Sequence, residues 1–325
     1  MTSRQKTRGH IDGIDRRLFL KTTAVLAGGT LVTGAASGSQ RDSAPPELPK
    51  SANHDVHWGE SDADGGVRTY ATTDRDERLS SLGVHVGGDA LMAFDEEERA
   101  AHLHFPDETD DGAEIDRHQF THMGFHYNPQ GHPPPAIYDV PHFDFHFYML
   151  AEDVVEGISG GPLESTPHPF VGLADYDVPA DQFPQGHVFE EHRLIVEGMG
   201  EHLLDETAPE FRGEAFTHTN VYGAYDPSID PEQPADTEVI ELEGERVELP
   251  VYEGDGDGRV HFVEPMVTTD FLRNDLEEET VIDIATPGVY FEADDYPTAY
   301  ALMPDGNGGA YVSLREFEEF SGPDQ

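Results

Sequence analysis

Residues 141–148 read Pro141-His142-Phe143-Asp144-Phe145-His146-Phe147-Tyr148. Side chains point alternately to opposite faces of a strand, so His142, Asp144, His146 and Tyr148 share one face while Phe143, Phe145 and Phe147 share the other. A helix, with 3.6 residues per turn, would scatter the rings and the titratable groups around its circumference. The segment therefore demands a sheet with an aromatic face on a core and a polar face lining a cleft or a barrel interior. Plain solvent exposure is a poor account of the polar face, because a chain with 66 Asp plus Glu covers its surface with carboxylates rather than with His and Tyr.

Other segments have the same scale. Val67 to Thr72, His102 to Phe105, Thr121 to Tyr127, His142 to Leu150, Phe216 to Tyr225, Val260 to Met266, Thr298 to Met303 and Ala310 to Leu314 are short apolar or alternating runs. Clusters of Gly, Pro, Asp and Asn separate them, which predicts a mainly β fold, an antiparallel sandwich or barrel with a few short helices. The helix candidates are Asp95 to Ala101, Glu152 to Gly157, Thr269 to Leu276 and a closing Leu314 to Phe320. Between Met303 and Tyr311, the run Asp305-Gly306-Asn307-Gly308 spells a hairpin turn. The acidic, proline-punctuated stretch 227–258 reads as an insertion holding a hairpin of its own. A flexible stalk is expected over 38–65, with the single tryptophan, Trp58, inside it. A single domain then covers 66–325, with folding expected from about Val67.

The charge narrows the partners. The 19 Lys plus Arg against 66 Asp plus Glu give a formal net charge of −47. Nucleic acids and anionic membranes need clustered cations, so both are excluded as partners. Lysine occurs only at Lys6, Lys21 and Lys50. A carboxylate coat with almost no lysine suits a protein kept hydrated in molar salt, where screening shortens self-repulsion. Zero cysteines rule out disulfides, thiolate metal sites and a cysteine nucleophile.

Arg16 and Arg17, followed by Leu18, Phe19, Leu20 and Lys21 and then a small-residue apolar run, match a twin-arginine export signal. The signal is assigned to 1–37, the export machinery is an expected partner, and the destination is extracellular or the cell surface. No later run has the length of a membrane span.

Eight of the 18 histidines lie between His102 and His146. On a strand, residues two apart stand roughly 6.6 Å apart and residues four apart roughly 13 Å. Asp144 with His142 or with His146 can therefore share an ion, whereas His142 with His146 would need a bulge. Further ligands for a divalent metal, zinc or another first-row ion, are sought in His132, in the Gly131-His132-Pro133 turn, in His202 and in Glu264. His118, His122 and His126 rank lower because their spacing of four suits a helix. The pair His102 and His104 ranks below the Asp144 row because no carboxylate alternates with it. The competing reading is a hydrogen-bonded network in which Asp144 orients an imidazole and Tyr148 caps it. Gly157-Ile158-Ser159-Gly160-Gly161 has the spacing of a nucleophile elbow but not its strand-to-helix setting, and is read as a turn. Asp255-Gly256-Asp257-Gly258 lacks the closing glutamate of a calcium loop and is read as an acidic turn.

The string Asn128 to Pro134, leading through Tyr138 to His142–Tyr148, resembles an uncharacterised family of exported prokaryotic domains with a PHFDFHFY core. Met199-Gly200-Glu201-His202, Pro209-Glu210-Phe211, Phe216 to Tyr225, Phe262 to Thr268 and Tyr296-Pro297-Thr298 are similar to that family in the same order. The resemblance spans roughly 66–320 and implies a single mainly β domain, with a homo-oligomer as an allowed state and no catalytic residue to carry over. The functional expectation is a binding or structural domain with a His/Asp-lined metal site. The alternatives are a metal-dependent enzyme, cupin-like oxidoreductase or hydrolase, and an envelope or stress-related assembly protein without metal.

Overall fold

A computed structural model describes residues 55–95, 97–159, 170–242 and 244–323. In chain order it begins with strands β1 (Asp55–Ser61), β2 (Val67–Thr73) and β3 (Leu79–Val86), followed by helix α1 (Gly88–Ala93). Strands β4 (Arg99–His104), β5 (His122–Asn128) and β6 (His142–Tyr148) come next, then helix α2 (Glu152–Glu156). The middle of the chain supplies β7 (Phe170–Ala174), β8 (His187–Phe189), β9 (Leu194–Val196), β10 (Glu201–Asp205) and β11 (His218–Tyr225). The last six are β12 (Asp236–Leu242), β13 (Glu245–Tyr252), β14 (Arg259–Thr268), β15 (Thr280–Asp283), β16 (Asp294–Pro304) and β17 (Ala310–Phe320).

The strands form three open sheets, so the mainly β fold takes the sandwich form rather than the barrel. The first sheet has the order β1-β2-β3-β17-β16-β15, the second β4-β5-β6-β14-β11-β10-β8, and the third β12-β13-β7-β9. Pairing is antiparallel except between β13 and β7. Strand β6 is buried along its whole length near the middle of the second sheet. Its aromatic face, Phe143, Phe145 and Phe147, joins Phe125 of β5 and Ala71, Leu82 and Val84 of the first sheet in one continuous core. Each buried phenylalanine contributes about 1.5–3 kcal/mol. That burial fixes which way β6 faces, because a one-residue slip would turn all three rings into the polar site.

Several expectations need correction. Folded structure is already present at Asp55, ahead of Val67: β1 pairs with β2, His57 is buried against Thr73 at 3.0 Å, and Trp58 packs on Tyr70 and His85. The end of the proposed stalk is thus an edge strand. The segment proposed as a helix from Asp95 contains the start of β4, paired with β5 from Arg99 to His104, and the helix of this region lies earlier, at Gly88–Ala93. Leu314 to Phe320 is not helical but the outer half of β17, because the β16–β17 ladder continues to Asp294↔Phe320. The helix at Glu152 is present, and the Thr269 to Leu276 segment is helical from Thr269 and continues as a π-helical turn over Phe271–Asp275. The hairpin at Asp305 closes β16 onto β17 as expected.

The acidic stretch 227–258 carries the β12–β13 hairpin, and β13 also extends the third sheet through β7. Its glycine-rich end serves a buried carboxyl group. Backbone N–H groups of Gly256 and Asp257 donate to Asp226 Oδ2 at 3.3 and 3.2 Å, and Asp226 is fully buried. The loop thus turns amides inward rather than carboxylates, the opposite of a calcium cage. The twin-arginine segment, the stalk before Asp55, and Gly160 and Gly161 of the serine motif lie outside the described residues. Among the described residues no helix is long and apolar enough to cross a membrane.

Candidate metal centre

Registers across the second sheet gather its histidines on one face. His126 lies opposite Asp144, Asn128 opposite His142, and His122 opposite Tyr148 on the β5–β6 ladder. On the other side of β6, β14 pairs Met266 with Asp144 and Val263 with Phe147, which sets Glu264 beside His146 on the polar face. His202 reaches the same face from β10, opposite Gly223 of β11. The strand row read from the sequence thus gains its partners from strands distant in the chain.

The six nominated residues divide into two triads, His132 with His142 and Asp144, and His146 with His202 and Glu264. Within each triad the candidate ligand atoms all lie within 4.8 Å of one another. Asp144 therefore shares its site with His142, and His146 belongs to the other.

In the first triad, His142 Nε2 is 3.1 Å from Asp144 Oδ1, and His132 Nε2 is 3.5 Å from Asp144 Oδ2. Both rings are tied from behind. His142 Nδ1 donates to Val140 O and His132 Nδ1 to Pro133 O, each at 2.7 Å. A carbonyl can only accept, so each Nδ1 carries a proton and Nε2 is the nitrogen that each ring turns to the carboxylate. Fixing the far nitrogen of a histidine in this way is how ligand imidazoles are oriented. Asn128 Nδ2 donates to Asp144 Oδ2 at 2.6 Å and holds the carboxylate in turn. His142 Nε2 and Asp144 Oδ1, for all their closeness, are not aligned as a hydrogen bond, and both are buried without a hydrogen-bond partner. His132 owes its position to Gly131, whose backbone is left-handed at φ +68 and approaches Tyr138 so closely that a Cβ would meet its carbonyl oxygen at 2.1 Å. Tyr138 and Phe216 roof the site, their ring centroids 6.5 and 5.6 Å from that of His142.

In the second triad, His146 Nε2 is 3.2 Å from Glu264 Oε1, and His202 Nε2 is 3.7 Å from Glu264 Oε2. His146 Nε2 and Glu264 Oε2 are again buried without a hydrogen-bond partner. His146 Nδ1 faces His126 Nδ1 at 3.3 Å, an approach that places one proton between the two rings. Ligands held about 2.1 Å from one ion stand about 3–3.5 Å from each other, the spacing that both triads approach.

The electrostatics describe a site short of positive charge. Burial pushes the Glu264 carboxyl well above its ordinary range, and the nearby Asp144 and Glu190 charges add to the effect. Burial also pushes the imidazoles of His146 and His202 down, His202 to about 3, so both are neutral. Asp144 is the exception: burial would raise it, but positive charge at His142 and His132 outweighs burial and holds it well below the usual carboxylate range. His132 is correspondingly raised, burial being outweighed by Asp144. The first triad thus keeps its carboxylate ionised through positive charge at the Nε2 positions, which protons can supply and which a divalent ion supplies more fully.

Sequence reasoning missed Glu190, a carboxyl raised to about 7 by burial, against the pull of His132 and with the help of Glu201. It lies in an irregular segment, and only the fold brings its charge to bear on His132. Among the other histidines, His122 and His126 line the same polar face, whereas His118 faces Asp294 at 3.1 Å. A small cavity of about 50 Å³ lies beside His261, lined by Gln119, Arg259 and Tyr290 among others, and neither triad contributes to its lining. The described structure therefore contains buried His/Asp/Glu groups that can hold metal ions. Compared with family models, with curated proteins and with solved structures, the chain finds no match.

Proposed function

We propose that this protein is an exported, salt-adapted metal-binding domain whose two buried triads each hold a divalent first-row ion, with binding or structure as its role ahead of catalysis. The observation that carries this reading is the approach of four imidazole Nε2 atoms to two buried carboxylates at 3.1–3.7 Å, with His142 Nε2, Asp144 Oδ1, His146 Nε2 and Glu264 Oε2 buried without a hydrogen-bond partner. A purely structural network would place a proton on each such line, because an unsatisfied buried polar atom costs about 1–3 kcal/mol. Export rests on the Arg16-Arg17 segment, and salt adaptation on the −47 net charge with lysine confined to the first 50 residues.

One observation favours a second reading, a metal-dependent enzyme. Each triad offers three protein ligands, a number that leaves room for water or substrate at the ion, and Glu190, with its pKa near 7, suits proton transfer.

The test is elemental mass spectrometry on the full chain, purified in molar salt without a histidine tag or a metal column. About two tightly held ions per chain are expected, falling by about one in Asp144→Ala and by about one in Glu264→Ala. A folded protein that carries no metal and takes none up on titration would sink the metal reading and leave the row as a hydrogen-bonded network. Turnover in redox or hydrolytic assays, abolished with the metal, would favour the enzyme.

A further inference from the structure

At the β4 edge of the same sheet lies a third group of ligand-type side chains. His102 and His104 stand two apart on β4 and so share the polar face, with His104 directly opposite His122 on β5. Helix α2 places Glu152 and Glu156 one turn apart, on the same side of the helix, next to this edge. His102 Nδ1 lies 3.5 Å from Glu152 Oε1, and His104 Nε2 lies 3.1 Å from Glu152 Oε2. Candidate ligand atoms of His102, Glu152 and Glu156 all lie within 4.8 Å of one another. The carboxylate that the H-x-H pair lacked on its own strand is supplied by the helix.

A buried nitrogen points to an occupant, and a second unpartnered nitrogen lies on the neighbouring ring. The His102 side chain is 10% exposed, and its Nδ1, aimed at Glu152, has no hydrogen-bond partner. Behind it, Thr121 Oγ1 lies 2.6 Å from Leu150 O, a carbonyl that takes the single hydroxyl proton. His122 Nδ1, 2.9 Å from that same Oγ1, must then be the donor, which makes His122 Nε2 a bare lone pair, itself buried without a partner. The His102 and His122 ring centroids are 5.2 Å apart. Acidic surface alone accounts for neither nitrogen.

We propose that His102, Glu152 and Glu156, assisted by His104, form a third divalent-cation site, one that exchanges its ion with the surrounding solution. Exchange follows from access: the side chains of His104 and Glu152 are 55% and 31% exposed, whereas those of His142 and His146 are 0% exposed. Mixed imidazole and carboxylate ligation selects zinc, nickel or copper over calcium and magnesium, which prefer all-oxygen shells. The site stands independently of the buried triads.

The test is calorimetric titration of the chelator-treated full chain with Zn²⁺ in molar NaCl, with chelator-resistant metal counted separately. About one exchangeable ion is expected, unaffected by equimolar calcium and weakened at least tenfold in Glu152→Gln and in His102→Asn. The chelator-resistant metal should be the same in both variants. Glu156→Gln and His104→Gln change exposed groups and supply the readout should either first variant fail to fold; each should weaken binding several-fold. Absence of an exchangeable ion, displacement of Zn²⁺ by equimolar calcium, or wild-type affinity in the folded variants would overturn the proposal.

Discussion

Asn128 shows how much of the first triad depends on a residue that is not itself a candidate ligand. Its amide donates to Asp144 Oδ2 at 2.6 Å, leaving Oδ1 directed at His142. Removing such an outer hydrogen bond frees the carboxylate to rotate and typically costs 10–100-fold in metal affinity. Asn128→Ala is therefore expected to lower the affinity of the first triad by about that factor and leave the second unchanged, as measured by competition against a chromophoric chelator. Equal affinity in the variant would mean that Asp144 is held by its other neighbours. At this scale the sequence was informative about faces and silent about partners. Strict alternation placed His142, Asp144 and His146 together on β6, and strand spacing separated His142 from His146. Which of the two Asp144 joins depended on His132, whose position is set by the close approach of Gly131 to Tyr138, a contact without a local pattern. Glu152 escaped notice for the same reason: it meets His102 only because α2 comes to rest beside the β4 edge.

Elements carry the geometry between the triads and the rest of the sheet. Gly223 of β11 lies between Phe262 of β14 and His202 of β10 in the ladder. A Cβ there would meet the Phe262 ring at 1.9 Å, so the ring occupies the space where a side chain would stand. That ring packs edge-on against His146 and His202, with centroids 4.9 and 5.4 Å away. Gly223→Ala must move a fully buried ring, and overpacking of this kind costs about 1–3 kcal/mol. The expected outcome is a lower denaturation midpoint together with reduced metal in the second triad and unchanged metal in the first. A loss of stability with both triads fully loaded would show that Phe262 packs the core without positioning the histidines. Element types were legible where alternation was strong, as in β5, β6 and β14, and misleading at Leu314 to Phe320. There Leu314, Phe317 and Phe320 recur every third residue like a helix face, yet the long ladder with β16 holds the segment extended. The strand order was not legible at all, since β14 joins β6 across more than a hundred residues of intervening chain.

For the whole molecule, the acidic exterior and the histidine-rich interior respond to acid in different pH ranges. The carboxylate coat loses charge mainly below about pH 4.5, where protonation relieves self-repulsion. The buried histidines act earlier. His85, His187, His218 and His261 lie away from the triads, and burial lowers all four below the ordinary imidazole value, His261 to about 3. His85 keeps its depressed value even though Asp305 lies 3.0 Å from its Nε2 and pulls it upward. Unfolded, each takes up a proton near pH 6.5; folded, each takes it up only at a lower pH, His261 at about 3. Between the two values the unfolded chain binds more protons, so stability is complete above about pH 6.5 and is lost as the pH falls, by up to about 1.4 kcal/mol per pH unit for each group. Equilibrium denaturation in molar salt should thus show stability declining as the pH falls below about 6.5, before the surface carboxylates titrate. His261→Gln should remove about one proton's share of that slope, whatever it does to stability at pH 7. A stability that is flat across this window would mean that these four histidines take up protons in the folded protein as readily as in the unfolded chain.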